Sequence, residues 1–171
     1  VDSIGLVNMP LLYERWCLLQ IIRVLKDGFR FVLKEGWKYQ LIDAVKNNKT
    51  DIQINLANTD SKRFITLTYE KTLDSGKRPD FVIDLEWYSE SDVVNGHPHS
   101  KRFVLDAKFY NKATFEKLGG LMGVTDQLYN KKDYKESANN NPVFILHPCK
   151  NALPERVTSQ EWGRYSFLGE L

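Results

Sequence analysis

Two nine-residue stretches, DFVIDLEWY at positions 80–88 and RFVLDAKFY at positions 102–110, decide the fold class of this chain. In both stretches every odd-numbered residue is apolar, whereas the even-numbered residues include Asp80, Asp106 and Lys108. A period of two is typical of a β-strand with one face in the core. The pattern therefore predicts two strands that bury their odd-numbered side chains and carry these three charged groups, among others, on the opposite faces.

The flanking sequence supplies the other layers of the fold. Pro10 suits the first position of a helix and Gly28 suits its end, which predicts a helix over residues 10–27. Similar patterns predict a helix over residues 36–47, strands over 52–56, 63–69 and 142–147, and a helix within 119–135. This order predicts an α/β fold, a mixed sheet with helices on both faces.

Composition limits the class of protein. The chain has 171 residues, 42% of them hydrophobic, and a formal net charge of +2, which predicts one globular domain over residues 1–171. No run approaches the ~18 apolar residues of a membrane span. Two cysteines are too few for a cysteine zinc site, and they predict reduced thiols in a cytoplasmic protein, with one disulfide as the alternative. The first residue is Val1, from which we expect a domain excised from a longer protein.

Glu14 breaks the pattern of the first predicted helix. At 100° per residue, Glu14 lies in the middle of the apolar face, within about 40° of Leu18 and Ile21 and opposite Arg23. A carboxylate there costs several kcal/mol, roughly, unless a partner compensates its burial. A role in a functional site and a carboxylate stabilised by the helix N-terminus both fit this pattern.

Asp80 and Asp106 introduce a second electrostatic problem. Carboxylates about 5 Å apart repel by about 3 kcal/mol per pair at an effective dielectric near 20. A divalent cation or a proton removes that cost, and oxygen ligands select Mg²⁺ or a similar hard ion. Lys108 on the same face could then orient water or stabilise developing negative charge. Two strands with half-solvated polar outer faces would show the same pattern.

Pro79-Asp80, followed by Asp106-Ala107-Lys108 on the next strong strand, resembles the PD-(D/E)xK nuclease superfamily. The details resemble most the nuclease domain of McrBC- and LlaJI-type restriction subunits, in the YExW start at 13–16, the RPD strand at 78–80 and the DAK ending at 106–108. The likeness runs from about residue 11 to residue 147. It implies a restriction-endonuclease-like mixed β-sheet flanked by helices, with an α-β-β-β-α-β core.

The resemblance also implies a metal centre. Asp80, Asp106 and the Ala107 carbonyl would be metal ligands, and Glu14 would support the metal directly or through water. The expected cofactor is Mg²⁺, with Mn²⁺ as a substitute. Lys108 would position or activate water.

Many relatives place a glutamine on the helix after the DxK strand, and Gln127 is the matching candidate here. Some of them carry Tyr four residues later, where this chain departs from the pattern with Lys131. Lys131 belongs to a basic group with Lys132 and Lys135. Such a group either contacts phosphates or forms a solvated face.

The expected function is therefore that of a metal-dependent DNA endonuclease. The resemblance implies a restriction or anti-phage defence role, DNA as substrate, and a motor or targeting domain or subunit as partner, with no membrane. A catalytically inactive nucleic-acid-binding or scaffolding module on the same fold is the alternative.

Overall fold

The computed structural model describes residues 8–89 and 96–148. The helices are α1 (Met9–Arg23), α2 (Trp37–Lys46), α3 (Lys112–Lys117) and α4 (Gly120–Asp126), with π-helical turns at Val24–Gly28 and Gln127–Lys131. The strands are β1 (Val32–Leu33), β2 (Ile52–Asn58), β3 (Arg63–Tyr69), β4 (Phe81–Trp87), β5 (His99–Ala107) and β6 (Val143–Leu146). Cys149 and the C-terminal tail lie outside the described residues.

The six strands form one mixed sheet in the order β1-β2-β3-β4-β5-β6. Neighbouring strands from β1 to β5 are antiparallel, and β6 joins β5 in parallel. The parallel pair needs a crossover connection, and the segment carrying α3 and α4 provides it. The predicted fold class, a mixed sheet flanked by helices in the restriction-endonuclease-like manner, is confirmed.

Helix α1 follows the sequence pattern closely. The Asn8 side chain caps it by accepting a hydrogen bond from the Leu11 N–H at 3.3 Å, and proline stands in the first turn. Leu18 and Ile21 are buried and Arg23 is exposed, as the helical wheel predicted. The π-helical turn continues the helix to Gly28, so the end of the predicted helix is confirmed within one residue.

The sheet is covered on both faces. Helix α1 contributes Cys17 and Leu18 to a core that includes Ile54, Leu67 and Phe81 of the sheet. A second cluster on the other side joins Val82 and Val104 to Leu128 and Tyr134, which follow α4 in the chain. The even-numbered faces of β4 and β5 are therefore partly buried near the crossover, and the alternative of two half-solvated polar faces does not hold there.

The bounds of the strands differ from the predictions by up to three residues, and two short elements were not predicted. Strand β5 begins at His99 and ends at Ala107, not at residues 102 and 110. The Lys108 N–H still donates to the Leu146 carbonyl at 2.8 Å, so pairing with β6 continues one residue beyond the strand. The short elements β1 and α3 were not predicted, because two and six residues are too few to show a clear period. In the described part of the chain, no helix has the length and apolar character to cross a bilayer.

Candidate active site

Asp80 lies directly before β4 and faces the end of β5. Phe81 pairs with Leu105 in the antiparallel register, so the register continued by one residue places Asp80 opposite Asp106. Directly opposite residues of antiparallel strands carry their side chains on the same face. The Asp80 Oδ2 accepts a hydrogen bond from the Ala107 N–H at 2.6 Å. The fold thus brings the two parts of the predicted motif to one end of the sheet.

Asp106 and Lys108 form an ion pair at this end of β5. The Asp106 residue is 1% exposed, and the Lys108 Nζ contacts its Oδ1. Only 15% of the Lys108 side chain is exposed. Burial lowers the pKa of Lys108, and the neighbouring Asp80 charge only partly opposes this effect. Lys108 therefore loses its proton more readily than an exposed lysine does.

The Asp80 carboxyl has the opposite perturbation for a related reason. Burial raises its pKa, while the Lys108 charge and the Ala107 N–H act to lower it. The net direction is upward, so the negative charge on Asp80 is not fully compensated by the groups around it. An additional cation at this carboxylate would lower its pKa.

Glu14 reaches the same region from α1. Burial raises its pKa, hydrogen bonding to Tyr69 opposes the rise, and the Asp80 charge adds to it. The Glu14 Oε1 is buried and has no hydrogen-bond partner within the described residues. Glu14 is half-buried with one oxygen shielded from water, and the Asp80 charge acts on its carboxyl, while its support of a metal stays a prediction.

Gln127 does not join these contacts in the structure. It is exposed at the start of the π-helical turn, and no hydrogen bond from its side chain to Asp80, Asp106 or Lys108 occurs among residues 8–89 and 96–148. Its predicted catalytic role remains a prediction with no contact to support it.

Two further charged residues act on the site. The Glu70 N–H donates to the Asp80 carbonyl at 2.8 Å, and the Glu70 carboxylate adds to the upward pKa shift of Asp80 that burial causes. The Lys132 charge acts on Asp80 in the opposite direction. Neither residue was assigned to the site from the sequence. Glu70 directly follows the strand predicted over residues 63–69, but only the β3–β4 register shows that it lies beside Asp80.

The donor atoms at this site suit a hard divalent cation. Two aspartate carboxylates, the Ala107 carbonyl and the unpartnered Glu14 oxygen are the oxygen ligands that Mg²⁺ or Mn²⁺ prefers. However, the described residues contain no cluster of three or more acidic, histidine or cysteine side chains already arranged around a metal position. Lys108 holds one Asp106 oxygen instead, so the ammonium must leave that oxygen before the oxygen can ligate a metal.

The family of this chain is established by comparison with known proteins. The model of the PD-(D/E)XK nuclease superfamily matches residues 11–153, so the chain belongs to that superfamily. A pyrethroid hydrolase from Klebsiella sp is 50% identical over 171 residues, which are 100% of this chain and 26% of that protein. The chain thus spans about a quarter of this curated relative. No solved structure matches the chain.

Proposed function

We propose that this chain is a Mg²⁺-dependent deoxyribonuclease domain that hydrolyses phosphodiester bonds as an endonuclease. The observation that supports this proposal is the position of Asp80, Asp106 and Lys108 at one end of β4 and β5 in a chain of the nuclease superfamily. Two acids that share a face repel each other, and a surface built only to bind phosphate would gain nothing from them. A bound cation would offset the repulsion between the two carboxylates and so account for their position.

In this proposal Asp80, Asp106 and the Ala107 carbonyl hold Mg²⁺, or Mn²⁺ in its place, and Glu14 supports it. The bound cation supplies Lewis-acid stabilisation of the negative charge that develops on the phosphate. The chain fixes the donors by hydrogen bonds between strands, so little rearrangement of the backbone is needed.

Lys108 has two successive partners in this proposal. Without a cation, its ammonium compensates the buried Asp106 carboxylate. When a cation takes over that role, the ammonium becomes available to orient the attacking water or to stabilise charge on the phosphate. Because burial lowers the pKa of Lys108, proton transfer at this nitrogen is easier near neutral pH than at an exposed lysine.

We also propose the biological setting that the sequence suggests. The domain would act in the cytoplasm as the nuclease part of a restriction or anti-phage defence system of the McrBC or LlaJI type. A motor or targeting domain or subunit would bring it to DNA, since phosphate contacts position a protein but carry no sequence information directly. The 50% identical relative, about four times as long as this chain, is consistent with such additional parts.

Two other functions have some support. The ion pair between Lys108 and Asp106, with no ready metal cluster in the described residues, would also fit an inactive nucleic-acid-binding or scaffolding module. The name of the Klebsiella relative favours hydrolysis of a pyrethroid ester. That name describes a protein of which this chain corresponds to only 26%.

One experiment separates the three functions. Supercoiled plasmid, labelled duplex DNA and a pyrethroid ester are each incubated with the chain in Mg²⁺, Mn²⁺ or EDTA. We expect nicking and linearisation of the plasmid with either metal and none in EDTA or with Asp106→Asn. Glu86→Gln on the exposed side of β4 is the matched control and should cleave like the wild type. DNA binding without cleavage would favour the inactive module, and metal-independent ester hydrolysis would favour the third function.

A further inference from the structure

Lys132 directly follows the second π-helical turn and is held beside the proposed active site. Its N–H donates to the Gln127 carbonyl at 2.9 Å, which fixes its backbone. Its Nζ lies 3.4 Å from the Tyr134 hydroxyl and 5.3 Å from the centre of the Tyr134 ring. That hydroxyl donates to the Arg78 carbonyl at 3.2 Å, two residues before Asp80. A short chain of contacts therefore ties Lys132 to the segment before β4 that carries Asp80.

Tyr134 gives this arrangement a rigid base. The tyrosine is 2% exposed and belongs to the core cluster with Val82, Val104 and Leu128. Its N–H donates to the Leu128 carbonyl at 3.1 Å. A lysine that rests on a fixed ring loses less conformational entropy on binding a ligand than a lysine in free solvent.

The charge of Lys132 reaches both Asp80 and Lys108. In the described part of the chain, Lys132 has no ion pair of its own, whereas Lys131 lies 3.9 Å from Asp126. Lys132 is thus a half-buried cation near the acids, with no carboxylate partner among residues 8–89 and 96–148.

We propose that Lys132 is a second cation for the substrate, contacting a phosphodiester oxygen at the Asp80–Asp106–Lys108 site; this role rests on the proposed nuclease function. Four acids at this site, Asp80, Asp106, Glu14 and Glu70, carry two formal charges more than the two lysines, and a divalent cation offsets that excess. The site then no longer repels the DNA backbone. Lys132 would then stabilise the transition state, in which negative charge spreads over the phosphate oxygens.

The test compares Lys132→Met, which keeps an unbranched side chain of similar length but no charge, with Lys132→Arg, which keeps the charge. Lys131→Met is the matched control, because it removes an adjacent lysine whose side chain is 73% exposed. Three quantities are measured: plasmid cleavage rate in Mg²⁺, duplex DNA affinity in EDTA over a range of salt concentrations, and the midpoint of thermal unfolding.

We expect Lys132→Met to cleave about 10²-fold more slowly, as for loss of one preorganised donor to a developing anion. The plot of log affinity against log salt concentration should become less steep by about 0.9, the value for one phosphate contact on duplex DNA. Lys132→Arg should recover most of both losses, and Lys131→Met should change neither.

Other outcomes would overturn the inference or the function separately. Wild-type cleavage with an unchanged rate and salt slope in Lys132→Met would overturn the role of Lys132 and leave the nuclease function standing. A lower unfolding midpoint with an unchanged slope would show that Lys132 only supports Tyr134. Wild type that binds DNA without cleaving it would refute the nuclease function, and the slope would still decide whether Lys132 contacts phosphate. Wild type that neither binds nor cleaves DNA would overturn both the nuclease function and the role of Lys132.

Discussion

The Asp80 Oδ2 accepts a hydrogen bond from the Ala107 N–H at 2.6 Å, across the ends of β4 and β5. This bond joins the proline-aspartate pair to the strand that ends in Asp106-Ala107-Lys108, although 27 positions separate the two residues. A hydrogen bond from an N–H to a carboxylate favours the charged form of the acid. This bond opposes the rise that burial causes in the pKa of Asp80 without outweighing it, and it fixes the carboxylate in the position where a cation is proposed to bind.

Metal binding should stabilise the folded chain. A ligand that binds only the folded state adds about 2.7 kcal/mol to the free energy of unfolding at 100 times its dissociation constant. We expect the thermal unfolding midpoint of the wild type to rise with Mg²⁺ or Mn²⁺, and the rise to be lost in Asp106→Asn. Differential scanning calorimetry measures the midpoint at increasing Mg²⁺ concentrations and in EDTA. An equal rise in both proteins would place the ion elsewhere.

Lys108→Met should separate catalysis from binding. We expect cleavage to fall by ~10²–10⁴, the range for loss of a positioned proton-transfer or electrostatic group. DNA affinity should change much less, because one phosphate contact among several alters the salt slope by only about one. Nicking rates in Mg²⁺ and affinities in EDTA give the two quantities. A large loss of affinity with unchanged nicking would contradict the proposed role.

The same variant should destabilise the metal-free protein, because it leaves the buried Asp106 carboxylate without its partner. Removing one member of a buried ion pair costs about 3 kcal/mol or more. Urea unfolding in EDTA measures the change. The control is Lys112→Met, since 68% of the Lys112 side chain is exposed and that substitution should be nearly neutral.

Glu14→Gln should lower the cleavage rate without lowering the stability of the folded chain. Burial raises the pKa of Glu14, so the folded state disfavours its charged form. An acid with a raised folded pKa is least costly at acidic pH and becomes destabilising as pH rises through that pKa. At pH 8 in EDTA we expect Glu14→Gln to unfold at a temperature equal to or above that of the wild type. Its cleavage rate should fall most at limiting Mg²⁺ and recover partly at high Mg²⁺, as for a supporting ligand. A stability loss at pH 8 would indicate a structural carboxylate.

The sequence predicts the centre of the sheet better than its margins. The alternation in residues 80–88 and 102–110 locates β4 and β5 because one face of each strand must be apolar. The same alternation cannot show that Val82 and Val104 are covered by Leu128 and Tyr134, since that contact depends on the crossover after β5. The two-residue strand β1 leaves no periodic signal, and only its pairing with β2 defines it.

The site shows the same division. Asp80, Asp106 and Lys108 follow from local motifs, because each motif lies at the end of a strand. Lys132 and Glu70 belong to no sequence motif. The π-helical turn places Lys132 at the site, and the β3–β4 register places Glu70 there. Lys131 and Lys132 are equivalent in sequence terms, yet one is exposed and paired with Asp126 while the other rests on Tyr134.

An ion network beside the second core cluster should set the acid stability of the fold. The Asp84 carboxylate accepts hydrogen bonds from the Arg102 Nε at 2.6 Å and the Lys71 Nζ at 2.8 Å, and Arg102 also pairs with Glu136 at 2.8 Å. Burial alone would raise the pKa of Asp84, but these hydrogen bonds outweigh it and hold the pKa below its usual value.

Because the folded pKa of Asp84 is lowered, its contribution to stability is present above the unfolded value of about 3.9 and is lost as pH falls through the folded value. We expect Asp84→Asn to cost about 2 kcal/mol at pH 7, the scale of hydrogen bonds to charged groups. The difference from wild type should shrink below about pH 3. Urea unfolding at several pH values measures it, with Asp74→Asn, an exposed acid, as the control. A difference independent of pH would refute the electrostatic origin.

Gln127→Ala tests whether Gln127 or Lys132, at the two ends of the second π-helical turn, contributes to cleavage. The glutamine has the position that the resemblance implies for catalysis, but its side chain is exposed and contacts none of the acids among the described residues. Its backbone carbonyl, which accepts the Lys132 N–H, is unaffected by the substitution. We expect the cleavage rate to stay within about threefold of wild type, which corresponds to less than 1 kcal/mol of barrier. Single-turnover nicking in Mg²⁺ measures this rate, with Lys132→Met assayed alongside. A loss of tenfold or more in Gln127→Ala, with unchanged thermal unfolding, would show that the glutamine turns inward when DNA and metal are bound.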